Sequence, residues 1–387
     1  MILQAIQSKN FNEAKQKLQA GEQLDPAVNI YTKSQIFDTL LKEKQFDILQ
    51  LLVKDKTIVL DIYELDSFSN TIFDRILYSL NTDEDSLAFL DDLFSEIENI
   101  NDEVGGKTLL SYFFEKEAPL AFISKLIDAG ADINFKNNAE EGYLHQVAKT
   151  YTSKPDLLIN YLELLVEQGL DVNTGNVVLQ TPLHQAIDLN RKAFVAPLLK
   201  AGADPNQLNK NGKSSFYLAV AEKLDPELYE LLKEYGSPDF ETLTKDGVSL
   251  FFEYVRISHS GSERELQLLT ELLKDGADVY QTNSYYGRAT TPLDLFAEKK
   301  PEMLQTLLNY GDIEVNRQDD EGNTLLHKVC AYDVNHDAEK AKETYKKVKL
   351  LLENGADKDI TNNKDQKALA LASDDNLKIK TVELLMK

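Results

Sequence analysis

The sequence predicts an all-α solenoid of stacked helix–turn–helix units with projecting β-turn fingers. Three observations predict it. A closing signal, Gly-Ala-Asp, recurs at 130–132, 202–204, 276–278 and 355–357, with weaker copies at Gly169-Leu170-Asp171, Gly236-Ser237-Pro238-Asp239 and Gly311-Asp312. From Gly130 the steps between these glycines are 39, 33, 34, 40, 35 and 44 residues. That is a repeat of roughly 33 residues carrying insertions. An opening signal keeps step with the closing one: Gly106-Lys107-Thr108, Gly212-Lys213-Ser214, Gly247-Val248-Ser249 and Gly322-Asn323-Thr324. Between the two signals, apolar residues recur at helical spacing.

Residues 1–104 read as helical hairpins without clean repeat signals. Phe11 to Leu18 closes on Ala20-Gly21, a helix followed by a C-terminal glycine. Ile36-Phe37 with Leu40-Leu41, and Ile48-Leu49 with Leu51-Leu52, give two more helices. Ile72-Phe73, Ile76-Leu77, Leu87, Leu90 and Leu93-Phe94 make a further pair. The first reading is three degenerate repeats forming an N-terminal cap, because terminal repeats are atypical. A separate all-helical domain is the alternative.

From 105 to 387 the units become regular. The Thr or Ser of each opening signal can cap free N–H groups at a helix start. Pro182 and Pro292 follow Thr181 and Thr291, where a fixed φ suits the first helical turn. Leu183-His184-Gln185-Ala186 follows, and then Phe194 to Leu199. Insertions fall at 151–156, 258–264 and 332–343, and Ala368–Ala372 with Val382–Met386 form a closing hairpin. Asn206 to Gly212 and Asn316 to Gly322 are polar, turn-prone connections. Seven units plus the closing hairpin are expected after residue 105.

Together, Thr181-Pro182-Leu183-His184-Gln185-Ala186 and the phased glycine signals resemble the ankyrin repeat, whose pattern is Thr-Pro-Leu-His-x-Ala on a 33-residue period. The resemblance covers about 105–372. It implies an ankyrin-repeat solenoid that binds proteins through its concave face and fingers, without catalysis. It also implies that His145, His184 and His327 are structural hydrogen-bonding residues near the turns.

Composition narrows the function. A net charge of −23 argues against a nucleic-acid backbone or an anionic membrane as partner, since both require clustered Lys and Arg. The lone Cys330 excludes an internal disulfide framework and fits a reducing compartment. Met1 to Asn10 lacks the pattern of a secretory signal, and no apolar run reaches the ~18 residues that span a bilayer. A cytoplasmic protein, monomeric when free, is the expectation.

Candidate chemistries fail one at a time. Gly106-Lys107-Thr108 and Gly212-Lys213-Ser214 mimic a phosphate loop, but Asn101 and Gln207 stand where its first glycine belongs. Asp333-Val334-Asn335-His336-Asp337 starts like a calcium loop, yet Ala338 and Thr344 replace the required Gly and Glu. Cys330 has no other Cys or His to complete a zinc set. No nucleophile elbow or His-Glu-x-x-His appears. The reading is no enzyme, no cofactor and no metal.

Two surface features remain. Between Arg75 and Lys107 there is no basic residue, while Asp83, Glu84, Asp85, Asp91 and Asp92 fall there. The block is a solvated helix face or an electrostatic landing site for a basic protein. The second feature is the finger from 280 to 288, which carries Tyr280, Tyr285, Tyr286 and Arg288 on an expected exposed turn. Tyr and Arg are enriched at binding hot spots; packing of the rings onto adjacent fingers is the competing reading. The function that follows is a general adaptor for a basic protein. The alternatives are a dedicated inhibitor, such as an immunity protein neutralising a basic toxin, or a secreted effector acting on a host.

Overall fold

The computed structural model describes residues 1–387. Chain contacts divide it into two units, Met1–Ala203 and Asp204–Lys387, so the compositional change at 104/105 falls inside the first. Each unit is a stack of antiparallel helix pairs, an inner helix followed by an outer one. The first unit begins with three pairs before residue 104: Ile2–Gln7 with Phe11–Gln19, Ile30–Lys42 with Phe46–Lys54, and Ile72–Ser79 with Glu84–Ser95. Leu109–Glu115 with Leu120–Asp128, Tyr143–Lys149 with Pro155–Glu167, and Pro182–Asp188 with Lys192–Lys200 complete it.

The second unit opens with Ser215–Tyr217, which runs on into a π-helical turn at Leu218–Glu222 and is followed by Pro226–Lys233. Leu250–Ile257 with Glu263–Lys274, Pro292–Phe296 with Pro301–Tyr310, and Leu325–Ala331 with Ala338–Glu353 follow, before the closing Ala368–Ala372 and Ile379–Met386. The segment expected as an insertion at 332–343 is only partly a loop, because 338–343 forms the first turns of the helix Ala338–Glu353. Asp337 accepts from the N–H groups of Glu339 and Lys340 there, so a helix N-cap replaces the failed calcium loop.

The opening hydroxyls cap the inner helices. Thr108, Ser214 and Ser249 accept from the backbone N–H three residues on. Thr181, Thr291 and Thr324 do so within full capping boxes closed by His184, Asp294 and His327. The closing glycines end the outer helices: Gly130, Gly202, Gly276 and Gly355 have φ of 99°, 95°, 94° and 88°, a left-handed region costly for any side chain.

Polar side chains then tie each pair to the next. Asn101 spans the backbone around the next closing glycine, donating to the Gly130 carbonyl (3.1 Å) and accepting from Asp132 N–H (2.7 Å). Asn316 repeats this with Gly355 and Asp357 (2.9 and 2.7 Å). His145 Nε2 meets the Gln180 carbonyl at 2.9 Å, and His327 Nε2 meets the Gln366 carbonyl at 3.1 Å. In the second unit, buried lysines close the exposed carbonyls at inner-helix C-termini. Lys299 Nζ donates to Arg256 O (2.8 Å), Lys347 Nζ to Ala297 O (2.5 Å) and Lys378 Nζ to Cys330 O (2.9 Å). Each cation sits where the helix dipole favours it.

Burial nevertheless pushes Lys299 and Lys347 down to about 8 from the ordinary 10.5. Between those values the unfolded chain holds protons that the folded chain has released, so stability rises with pH through that window. Burial pushes Tyr161, Tyr229 and Tyr254 above their ordinary value near 10, which acts in the opposite sense once the unfolded chain ionises above that pH. The midpoint of thermal unfolding should therefore climb from about pH 8 and turn over beyond about pH 10. Lys347→Met should flatten the climb in melts followed by circular dichroism. A midpoint that only falls above pH 8 would refute this role for the lysines.

Candidate functional site

The fingers are built by one recurrent turn. A side-chain oxygen at the finger base accepts from the N–H groups two and four residues ahead: Asn137 from Ala139 and Glu141, Asn176 from Val178 and Gln180. Asn209, Asp319 and Asn362 repeat it in the second unit. These are Asx turns extended by one bond, which is why Asn and Asp recur at these positions.

The finger from 280 to 290 departs from that plan. It is a short hairpin of β1 (Asn283–Tyr285) and β2 (Arg288–Thr290), with Tyr285 opposite Arg288 and Ser284 opposite Ala289. Tyr286 and Gly287 form the two-residue turn with φ of 48° and 71°, the sign pattern of a type I′ turn. The sequence reading expected a plain exposed turn. The hairpin signal was Tyr-Gly between two short extended runs, weaker than Asn-Gly.

The four finger residues of interest part company in the structure. Tyr280 is half-buried: its hydroxyl accepts from Glu314 N–H at 2.7 Å, and the Arg317 guanidinium lies over its ring at 4.0 Å. Tyr285 is half-buried too and packs edge-on against Phe252, centroids 5.4 Å apart. Tyr286 stands at the tip, 89% exposed, with its ring 4.5 Å from that of Tyr285. Arg288 is exposed and, with Tyr280, lines the groove leading to the next finger.

The acidic block lies in the first unit, on and beside the helix Glu84–Ser95. Asp83 is the cap of that helix, accepting from Ser86 N–H, and it also receives Lys44 Nζ at 2.8 Å. The hydrogen bond from Lys44 holds the Asp83 carboxyl below its ordinary value. Lys44 reaches Asp85 at 3.4 Å, and Lys125 pairs with Asp91 at 2.7 Å. Glu84 and Asp92 are exposed with no lysine beside them. The linear block therefore overstates the local field, because flanking helix pairs supply cations the one-dimensional sequence does not show.

Four of the inner helices carry a second charged array, each paired with the finger before it across eight or nine residues. Lys107 pairs with Glu115, Glu141 with Lys149 (2.5 Å), Lys213 with Glu222 (2.7 Å) and Asp319 with Lys328 (2.7 Å). Partial burial raises Glu141, but hydrogen bonds from Lys149, Asn137 and Gln185 outweigh it and hold its carboxyl at about 2. A partner touching these faces meets charges already matched.

One exposed feature escaped the sequence reading. The fingertip Val177-Val178-Leu179 is 53%, 40% and 52% exposed, and Leu179 sits at φ 57°, at the turn position held by Gly212 and Gly322 in two other fingers and by Glu140 and Asp365 in two more. The signal was three aliphatic residues in a polar connection. Thr181 N–H donates to His184 Nδ1 at 3.2 Å, and Thr324 N–H to His327 Nδ1 at 3.2 Å, so both rings are structural. Cys330 is buried, and burial pushes its thiol up to about 12. No group of three or more His, Cys, Asp or Glu side chains is placed to hold a metal ion. No helix is long and apolar enough to cross a membrane.

Comparison with known proteins agrees with the repeat geometry. The ankyrin repeat family model matches residues 179–210 and 321–363. The nuclear factor NF-kappa-B p105 subunit of Gallus gallus is 32% identical over 175 residues, 44% of this chain and 17% of that protein. An intracellular phospholipase A2 of Caenorhabditis elegans is 32% identical over 147 residues, 37% of this chain and 13% of that protein. The chain thus spans under a fifth of the length of either relative. The solved ankyrin repeat domain of Bcl-3 superposes with a TM-score of 0.50 at 25% identity, covering 64% of this chain and 99% of that domain. With its capped Thr-Pro-Leu-His turns, phased glycines and stacked helix pairs, the chain is an ankyrin-repeat protein.

Proposed function

We propose that this chain is a non-catalytic module that binds a basic protein, with the 280–290 hairpin as its principal contact. Ankyrin repeats as a family mediate protein–protein interaction, and the phospholipase name above belongs to a protein of which this chain spans 13%. The observation that carries the reading is Tyr286 at 89% exposure, on the same hairpin tip as Arg288, in a chain of net charge −23. A tyrosine held on a preformed turn contributes contact area at little entropic cost. Glu84 and Asp92, with Asp85 only partly offset by the Lys44 that it shares with Asp83, add an acidic surface that steers a basic partner. We place the protein in the cytoplasm, and read 1–104 as divergent repeats that cap the regular array of 105–387.

The test is affinity capture from the native source at low and high salt, with mass spectrometry. One dominant basic protein should be captured, and Tyr285→Ala/Tyr286→Ala/Arg288→Ala should cut its retention at least tenfold. Charge-steered association should slow steeply as salt rises, most strongly for a dedicated inhibitor. Capture that survives the triple change moves the site off the hairpin, and no partner at either salt overturns the reading.

A further inference from the structure

Four pairs of neighbouring fingers are stitched together by backbone hydrogen bonds. In each case the N–H of the second finger residue donates back to the finger before: Val177 to Ala139 O (2.9 Å) in the first unit, and Lys245 to Asn211 O, Ser284 to Gly247 O and Asn363 to Glu321 O (3.0 Å each) in the second. One neighbouring pair in the second unit is not stitched. Between the 283–290 hairpin and the 319–323 finger, the residue in the donor position is Asp320, and its N–H has no partner.

The hairpin register explains what faces Asp320. Tyr285 and Arg288 flank the two-residue turn and form the hydrogen-bonded pair, so Ser284 and Ala289 are the non-hydrogen-bonded pair. Backbone groups of such a pair point away from the hairpin, and Ser284 N–H does so, reaching Gly247 O. Ala289 on the opposite strand must turn its N–H and C=O the other way, toward the slot that Ala289 and Asp320 both line. Neither Ala289 group has a partner. The floor of the slot is closed by Tyr280 with Glu314, by Arg317 over Tyr280, and by Lys328 bonded to Asp294 and Asp319.

We infer that this slot accepts an extended segment of a partner protein as an added β-strand, bonded through its main chain to Ala289 on one side and Asp320 on the other. An exposed sheet edge facing a matched donor is the arrangement that strand addition uses. The strand carries an acidic side chain. Of the six arginines in the chain, Arg75, Arg256 and Arg264 are paired with carboxylates, whereas Arg288 and Arg317 line this slot without one. Arg317 is already stacked on Tyr280, which leaves its N–H fork in a fixed plane for a carboxylate. The inference rests on the protein-binding reading and deepens it, since the acidic residue belongs to one segment of a partner whose body can still be basic.

Hydrogen exchange of the full chain gives the first check: the Ala289 and Asp320 amides should exchange at close to unprotected rates, unlike Lys245 and Asn363. A phage-displayed library of random peptides, panned on the intact protein, then supplies the probe. Enriched peptides should contain Asp or Glu and should slow exchange at Ala289 and Asp320. Ala289→Pro removes only the outward N–H, which the hairpin does not use, and an edge position tolerates proline. It should leave the melting profile unchanged and weaken those peptides about tenfold. Arg317→Ala should discriminate against the acidic residue by a similar factor. Peptides that bind while leaving both amides exposed overturn the slot but not protein binding. A concentration-dependent dimer that protects Ala289 overturns the peptide in favour of a second copy of this chain, and failure to enrich any peptide overturns the slot outright.

Discussion

Replacing Phe113 with alanine should lower the unfolding free energy of the first unit by about 4 kcal/mol. The ring is fully buried on the helix Leu109–Glu115 and meets Phe94 of the helix Glu84–Ser95 edge-to-face, with centroids 6.0 Å apart. Truncation removes its transfer free energy and leaves a cavity that two packed helices cannot close. The same junction holds Tyr112, whose hydroxyl donates to Asp74 at 2.6 Å and whose ring lies 5.2 Å from that of Phe68. These contacts cross the 104/105 boundary, so the substitution also tests what the first 104 residues are. In a repeat stack, stability is a sum of repeat terms and nearest-neighbour interfaces. Weakening this interface should therefore lower exchange protection on both sides, in 72–95 as well as 109–128. Urea unfolding with hydrogen exchange decides the matter. Unchanged protection in 72–95 would mean a separately stable domain.

His327→Ala should cost about 3 kcal/mol, by leaving the buried Thr324 N–H and the half-buried Gln366 carbonyl unpaired. The ring is 1% exposed, and its two nitrogens meet different partners. Its Nδ1 accepts from Thr324 N–H, so that nitrogen carries no proton, and Nε2–H is left to donate to the Gln366 carbonyl. Loss of the first bond opens a capping box, and loss of the second uncouples the next finger. The closing helices Ala368–Ala372 and Ile379–Met386 should lose exchange protection first, well before the rest of the second unit. A cost below about 1 kcal/mol would show that the backbone finds other partners. His145 shows the linked pH effect. Burial lowers its pKa, so the stability it supports is full above the ordinary value near 6.5 and is lost as pH falls below it.

The repeat itself was legible in the sequence because its signals are local. Gly130, Gly202, Gly276 and Gly355 are needed at positive φ, and Thr181, Thr291 and Thr324 cap N–H groups three residues away. Such constraints act within one turn of chain, so residue type records them directly. Three helix pairs before 104, and seven plus a closing pair after it, follow the same spacing.

What only the tertiary structure decided is which surface groups are already used. Asp83, Asp85 and Asp91 look unopposed in the sequence, yet Lys44 and Lys125 come from helix pairs some forty residues away. Tyr280 reads as a hot-spot aromatic, but it binds Glu314 N–H and carries Arg317 on its ring. The unstitched edge at Ala289 is invisible in the sequence, because a small residue says nothing about where its backbone points. Stacking sets those partners, and in a repeat protein stacking joins residues one full period apart.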